Sequence, residues 1–272
     1  YSAREAFEQA LESACWGPIA VTALLWAMLH LLSPVFTWIV LRGVGADISY
    51  RSALEIHIGR LPARYLPGGI WHTVSRVMDL HGLGVSRLQL SILVLMENLV
   101  PLGITLAGGG LLLYLSGDSQ GPALAAAAGG LLLLACIPFA LRHRMLLSKH
   151  GFTHRYYLTA LTVVAAFWAI AASAFACYWL AFPSTEIGGS LLKLFGAYLL
   201  AWAAGFAAIF APQGIGVFEA VAAMLLPGAL PFGGVVALAA GFRAVVLIGD
   251  SLAFGVLLLY RRSVGKATQA TR

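Results

Sequence analysis

The sequence predicts an all-α integral membrane protein with about five transmembrane helices and two re-entrant broken helices in an inverted repeat. The composition gives the class, because 60% of the residues are hydrophobic and only 10% are charged. Soluble domains carry about 25% charged residues. The number of helices follows from the apolar stretches, and the repeat follows from two Pro-Gly breaks that interrupt them.

Five apolar stretches reach or exceed the roughly 17–25 residues needed to cross a bilayer. They cover residues 16–40, 88–115, 123–141, 156–182 and 232–260. A sixth stretch, residues 190–210, is also long enough but runs directly into Pro212. We expect it to dip into the membrane, break, and return as a helix over residues 217–226.

The two breaks share the pattern Pro-x-Gly-Ile, and each precedes an intramembrane charge by about thirty residues. Their residues are Pro67, Gly68 and Gly69 in the first break, and Pro212, Gly214 and Gly216 in the second. Helix breaks are tolerated at membrane depth where the backbone is buried in protein or lines a cavity. Breaks in corresponding places of two halves indicate a substrate site between those halves.

The whole chain, residues 1–272, is predicted to be one transmembrane domain. Repeat 1 covers about 16–115, a connecting span covers 123–141, and repeat 2 covers about 156–260. In repeat 1 an amphipathic helix over 49–64 precedes the break, and a half-helix over 69–80 follows it. Three crossings separate the breaks, so they enter from opposite faces, as in many transporters.

The basic residues predict the orientation. Of 17 Lys and Arg residues, 14 fall in segments 42–87, 142–155 and 261–272, which share one side if five helices span. The positive-inside rule makes that side cytoplasmic, with the N-terminus outside and the C-terminus inside. The net charge of +6 therefore indicates membrane topology and no nucleic-acid partner. We expect the protein in a bacterial cytoplasmic (inner) membrane.

Each break is a candidate anion site. Proline begins a helix well because it lacks the N–H that would be unpaired there, and glycine lets a ligand approach the backbone closely. The following half-helix then presents unpaired N–H groups at the positive end of its dipole, which suits phosphate or carboxylate. The alternative is that both breaks are helix corners at the membrane surface.

Charges within the membrane are costly and are functional by default. We expect Arg243 to bind phosphate, because its planar fork pairs with phosphate oxygens, while Glu97 or Glu219 balances it or meets a cationic headgroup. Asp250 lies seven residues after Arg243 and so shares its helix face. The alternative is a structural Glu97–Arg243 or Glu219–Arg243 ion pair.

The first half-helix carries three polar residues on one face, at spacings of four and three residues. They are His72, Arg76 and Asp79. Arg76 would attract phosphate at the cytoplasmic entry, or the face would simply be solvated near the headgroups.

Residues 210–219 resemble the Pro-Gly-Gly-x-Gly-x-x-Glu motif in the transmembrane region of lysylphosphatidylglycerol synthases and related flippase-like membrane proteins, with Gln213 in place of the middle glycine. Residues 64–72 are similar to the first motif of that family, with Trp71 and His72 where many members carry Gly-Glu. Glu97 and Arg243 fall where the family has a glutamate and an arginine. The resemblance covers most of residues 16–260.

The resemblance implies translocation of a phosphate-bearing lipid: aminoacyl-phosphatidylglycerol, a glycolipid or a polyprenyl-phosphate-linked sugar. The expected partner is a lipid with an anionic headgroup, and a homo-oligomer stays open. No catalytic constellation, metal site or cofactor motif is found, so no enzyme activity is expected, and neither is an aminoacyl-transferase domain after Tyr260. The alternatives are a membrane-embedded transferase acting on a lipid-linked substrate, and an ion or small-solute carrier.

Overall fold

A computed structural model describes residues 12–66, 70–117, 120–145, 153–182, 190–208, 211–226 and 230–270. This part of the chain is helical, and no strand occurs in it. The α-helices are α1 (Trp16–Gly43), α2 (Tyr50–Gly59), α3 (Trp71–Gly82), α4 (Arg87–Leu115), α5 (Gln120–Met145), α6 (His154–Trp179), α7 (Leu191–Ala207), α8 (Val217–Leu225) and α9 (Phe232–Ala270). Short 3-10 helices cover Leu61–Tyr65 and Pro212–Gly214.

Five of these helices are long and apolar enough to cross a membrane: α1, α4, α5, α6 and α9. They are the five stretches that the sequence predicts, and the multi-pass membrane class is confirmed. Helix α7 is apolar but has only 17 residues, a length of about 25 Å at the usual rise per residue. It is shorter than the five candidate spans.

Local sequence signals fix where several helices begin and bend. Ser49 caps α2 by accepting a hydrogen bond from the Ser52 amide at 3.0 Å, and Ser86 and Gln89 form a reciprocal capping box at the start of α4. Pro34 lies inside α1, where its ring removes the hydrogen bond to the carbonyl of His30, four residues earlier. The hydrogen-bond ladder of α1 is therefore interrupted beside a buried histidine.

The core is built around α1 and α6, which pack against each other, while α9 packs on α1 and α4 packs on α6. A cluster of aromatic rings joins α6, α7, α8 and α9 at its centre. Phe175 and Tyr198 stack at a centroid separation of 4.8 Å, and Phe242 meets Phe175 edge-on at 5.0 Å. These rings form an aromatic cluster in the core, through which α7, α8 and α9 pack against α6.

Glycine makes the contact between α4 and α5 close, as small residues do in membrane helices. A Cβ atom on Gly130 would overlap the backbone of Ala107 on α4, whereas one on Gly129 would meet nothing within 4 Å. We therefore expect Gly130→Ala to lower the melting temperature of the purified protein by several degrees. Gly129→Ala on the same helix is the matched control and should leave it unchanged. Equal melting temperatures for the two variants would contradict this packing.

The second break has the backbone geometry that its glycines predict. Gln213 and Gly214 both adopt positive φ angles, of 56° and 65°. A Cβ atom on Gly214 would lie 2.6 Å from the Cα atom of Gly205 at the end of α7. Glycine is thus needed for both the turn and the close approach, and α8 packs directly against α7. Pro67, Gly68 and Gly69 of the first break lie outside the described residues.

Candidate anion-binding cavity

A cavity of about 630 Å³ lies where the two halves of the chain meet. Its polar wall is formed by residues from both halves: His30, His57, Arg64, Tyr65, His72, Thr73, Arg76, Glu97, Asn98, Gln213 and Arg243. Its apolar wall includes Trp168, Trp202, Phe206, Ile215, Phe218, Phe242 and Leu247. The volume lies in the range of small-molecule sites, which reach about 300–1,000 Å³.

Asp250 fixes several side chains on one side of the cavity by accepting their hydrogen bonds. This carboxylate on α9 is only 2% exposed and accepts four hydrogen bonds. The donors are Trp26 Nε1 at 2.9 Å, His30 Nε2 at 2.7 Å, Arg64 Nη1 at 3.1 Å and the Tyr65 hydroxyl at 2.8 Å. Four donors fill the acceptor sites of a carboxylate, so Asp250 ties α1 and the segment before the first break to α9.

Arg76 on α3 forms the second charged group. It donates to Glu97 Oε1 at 2.7 Å and to Thr37 Oγ1 at 2.9 Å, and Thr37 itself donates to Glu97 at 2.9 Å. The Arg76 side chain is 8% exposed and the Glu97 side chain 17%. Arg76 is therefore the deeper partner of this pair.

Arg243 on α9 forms the third charged group, and it pairs with Glu219 near the start of α8. Arg243 Nη1 also donates to the Gln213 carbonyl at 2.9 Å, and its guanidinium lies 5.1 Å from the Phe218 ring centroid. Glu219 accepts a hydrogen bond from the Gly216 amide at 2.7 Å. One N–H group at the start of α8 is thus already bound to Glu219 instead of being open to an anion.

Gln213 in the second break contacts the segment that precedes the first break. Its side-chain amide donates to the Arg64 carbonyl at 3.1 Å, while its own carbonyl accepts from Arg243. The second break and the segment before the first break therefore meet at this cavity. A glycine at this position, as in the motif that the second break resembles, would have no side chain to make the first of these bonds.

Glu97 and Glu219 each pair with an arginine of their own half of the chain, whereas Asp250 pairs with Arg64 of the other half. Glu219 binds Arg243, one of the two ion pairs considered above, whereas Glu97 binds Arg76, so the Glu97–Arg243 pair is not formed. Asp250 contacts Arg64 instead of Arg243.

The predicted polar face of α3 is divided between two environments. His72 and Arg76 line the cavity, but Asp79 receives two hydrogen bonds from Arg60, at 2.6 and 2.7 Å, on a more exposed surface. Helical spacing alone predicted one shared face. Asp79 instead contacts Arg60 at the end of α2, outside the cavity.

Three histidines of the polar wall form a row. His30 Nδ1 lies 3.1 Å from His57 Nε2, and the His57 ring meets the His72 ring edge-on at a centroid distance of 5.6 Å. Burial, and then the nearby charge of Arg76, holds the pKa of His57 well below its ordinary value. Burial and then the charge of Arg64 lower the pKa of His72 in the same way. Both rings are therefore neutral at pH 7 in this state.

Several buried polar atoms around the cavity have no hydrogen-bond partner among the described residues. Besides Arg243 Nε, which lies against Glu219 Oε1, they are His57 Nδ1, His72 Nε2, Arg76 Nε and Trp168 Nε1. All four residues line the cavity. An unpaired buried polar group costs about 1–3 kcal/mol, so four of them in the residues that line one cavity are costly to the fold.

Four residues of the site were not predicted as site residues from the sequence: His30, His57, Arg64 and Tyr65. His30 carried a usable signal, because an ionisable residue inside a predicted span is a functional candidate by default. His57 carried no such signal. Arg64 and Tyr65 lie in the stretch, residues 64–72, that resembles a family motif, but only folding brings them to Asp250, which is 185 residues beyond Tyr65.

A comparison with models of known protein families finds no match, and no curated protein sequence matches the chain. Among the described residues, no group of three or more His, Cys, Asp or Glu side chains is placed to hold a metal ion. The candidate site therefore stands on its geometry: a cavity between two halves, faced by three arginines whose carboxylate partners are fixed within the fold.

Proposed function

We propose that the protein translocates a phosphate-bearing lipid across the membrane, with the phosphate bound between Arg64 and Arg243. The observation that carries the proposal is the set of unpaired buried polar atoms around one cavity that also presents arginine side chains. A phosphate group supplies acceptors for several donors at once, and arginine is the side chain best suited to bind it.

The ion pairs are arranged to present guanidinium groups to a ligand. Asp250 is 2% exposed, while its partner Arg64 has a side chain that is 26% exposed. Glu219 is 5% exposed and its partner Arg243 is 29% exposed. The carboxylates lie behind and fix the arginines, while donors of both guanidinium groups have no partner among the described residues. Arg76 is nearly buried, so it contributes mainly charge.

The apolar wall of the cavity suits the tails of a lipid. Phe206, Ile215 and Leu247 all line the cavity, and they are 38%, 63% and 45% exposed. The accessible apolar edge of the cavity therefore includes residues of α7, of the turn before α8 and of α9. A headgroup bound at the arginines would leave its acyl or prenyl chains along this edge, in the bilayer.

The inverted repeat belongs to the same proposal, and the ion pairs support it. In the first half the half-helix supplies the arginine and the following span the glutamate, as Arg76 and Glu97. In the second half the half-helix supplies the glutamate and the span the arginine, as Glu219 and Arg243. The corresponding elements of the two repeats thus hold an ion pair in which the two charges are exchanged. If α1 corresponds to α6 and α4 corresponds to α9, the contact of α1 with α9 is also equivalent to that of α6 with α4. Residues 190–226 would be the second re-entrant element.

The topology predicts which residues a membrane-impermeant reagent reaches. In a variant without the native cysteines, single cysteines at Ser49 and Ser263 should be labelled by a charged maleimide only after the cells are permeabilised. A cysteine at Ser116 should be labelled in intact cells, because the positive-inside rule places it on the other side. Labelling of Ser49 and Ser263 positions on opposite sides would rule out five spans with two re-entrant elements.

Transport itself can be tested with purified protein in vesicles. Tail-labelled phosphatidylglycerol, phosphatidylcholine and a phosphate-free glycosylceramide are placed in both leaflets, and the fluorescence that an impermeant quencher removes over time is measured. We expect the protein to accelerate exchange of phosphatidylglycerol most and of the phosphate-free lipid least. Rates equal to those of protein-free vesicles for both phospholipids would overturn the proposal.

A membrane-embedded transferase remains the second candidate, favoured by one observation. The unpaired Nδ1 atom of His57, linked through His30 to Asp250, has the arrangement of a general base oriented by a carboxylate. Mass spectrometry of the lipids recovered from the transport assay separates the two functions. Translocation leaves every lipid chemically unchanged, whereas a transferase yields a new lipid product.

A further inference from the structure

The histidine row is not needed to bind phosphate, because the arginines can hold the anion without it. His30 is 4% exposed and His57 is 2% exposed. They connect Asp250 to the cavity through hydrogen-bond distances of 2.7 and 3.1 Å. A titratable chain of this kind runs from a buried carboxylate to a ligand space.

The positions of the protons along this chain follow from its partners. Trp26 and Arg64 can only donate, and Asp250 is therefore an acceptor for them and for His30 Nε2. A neutral ring that carries its hydrogen on Nε2 has a lone pair on Nδ1, so His30 must accept a hydrogen bond from His57 Nε2. His57 Nδ1 is then a bare lone pair, and it is the atom that has no partner among the described residues.

We propose that the Asp250–His30–His57 row is a proton-binding site that is filled together with the phosphate-bearing anion, so that a proton gradient drives lipid translocation. This inference rests on the proposed function and names its coupling ion. Binding one proton with one monoanionic headgroup makes the added charge of the cavity zero, which lowers the cost of carrying that headgroup through a low-dielectric region.

The proton step is balanced within the row. A solvent proton forms an N–H bond at His57 Nδ1, the N–H bond at His57 Nε2 breaks, and an N–H bond forms at His30 Nδ1. His30 then carries the positive charge, 2.7 Å from the Asp250 carboxylate, and His57 carries its hydrogen on Nδ1. The added positive charge favours a phosphate in the cavity that both rings line.

The charges around the row make proton uptake depend on the anion. His57 is faced by groups from every element around it, namely His30, Asp250, Arg64, Tyr65, His72 and Arg76, and Glu97 and Arg243 lie on the same cavity wall. Burial and Arg76 lower the pKa of His57 while the cavity holds no anion. A bound anion acts in the opposite direction by favouring the cationic form. Linkage then requires the anion to bind more tightly at lower pH.

The test measures proton uptake on anion binding by the full chain in detergent. Calorimetric titrations use dihexanoyl phosphatidylglycerol and, separately, dimethyl phosphate, each in two buffers with different ionisation enthalpies. We expect uptake of about one proton per bound anion near pH 7 and an affinity that falls by up to tenfold per pH unit above it. His57→Gln can still donate to His30 but cannot bind a proton, so its uptake should vanish. His81→Gln, away from the cavity, is the matched control and should behave like the unmodified protein.

Each result has a distinct meaning. Binding of either compound with no proton uptake, or with uptake unchanged in His57→Gln, overturns the proton site but leaves phosphate-lipid translocation standing. Dimethyl phosphate binding alone, with uptake, keeps the proton site and removes the lipid specificity. No binding of either compound overturns the proposed function and this inference with it.

A second measurement needs no variant, in case His57→Gln fails to fold. Vesicles containing the unmodified protein are given a pH gradient of about one unit. Exchange of labelled phosphatidylglycerol should run faster from the acidic side to the alkaline side than in reverse. A rate independent of the gradient would overturn the coupling.

Discussion

Replacing Arg243 by alanine is expected to reduce the rate of phosphatidylglycerol translocation by at least about thirtyfold. Removing one partner of a buried, hydrogen-bonded charge pair costs about 2–5 kcal/mol, and Arg243 is proposed to bind the phosphate as well. Arg243→Lys keeps the charge but loses the planar fork, so we expect an intermediate rate. The vesicle assay with tail-labelled phosphatidylglycerol measures all three proteins.

Loss of activity must be separated from loss of the fold. Arg243→Ala leaves the Glu219 carboxylate buried and unpaired, but adding Glu219→Gln removes that charge and keeps an acceptor for the Gly216 amide. The double variant should therefore melt like the unmodified protein and remain inactive. Arg51→Ala is the matched control, because that arginine is 66% exposed, pairs with Glu55 on its own helix and otherwise lies over the exposed Tyr260 ring, away from the cavity. A folded Arg243→Ala protein with full activity would refute the phosphate-ligand role.

Replacing Asp250 by alanine is expected to lower the melting temperature by about 10 °C. The change removes the acceptor for Trp26, His30, Arg64 and Tyr65 at once. It also leaves Arg64 without its counter-charge, and breaking a buried ion pair costs about 3–5 kcal/mol. Thermal unfolding of the purified protein in detergent, followed by circular dichroism, measures the shift.

Asp79→Asn provides the control for Asp250. Its ion pair with Arg60 joins α3 to the end of α2, but the two side chains are 29% and 45% exposed. Such pairs contribute less than about 1 kcal/mol, so the melting temperature should change by no more than a few degrees. If the two aspartate variants melted alike, the organising role of Asp250 would be wrong.

Hydrophobic length and glycine chemistry predicted much of the architecture. The five apolar stretches correspond to α1, α4, α5, α6 and α9, because a membrane span needs little more than length and low charge. The second break was predictable because Gly214 adopts a positive φ angle that few other residues tolerate. Helix ends shifted by several residues where polar residues such as His154 extend a span beyond its apolar part.

Only some residues of the candidate site could be predicted from the sequence. Glu97, Glu219 and Arg243 could be found because each is a charge in or beside an apolar span. The Glu219–Arg243 pair was one of the two pairs considered. The Glu97–Arg76 pair was not, because it depends on how α3 packs against α1 and α4, which spacing does not encode. His30 stood out as an ionisable residue in a predicted span, but the histidine row as a whole needs α1, α2 and α3 to meet, so no local pattern could reveal it.

The most direct test of the central claim is an experimental structure of the protein in nanodiscs that contain phosphatidylglycerol. We expect lipid density whose phosphate lies within hydrogen-bond distance of the Arg64 and Arg243 side chains, with His57 nearby. The acyl chains should leave the cavity past Phe206 and Leu247. A cavity that holds only water while phosphatidylglycerol is ordered elsewhere on the protein, or a phosphate bound away from both arginines, would contradict it.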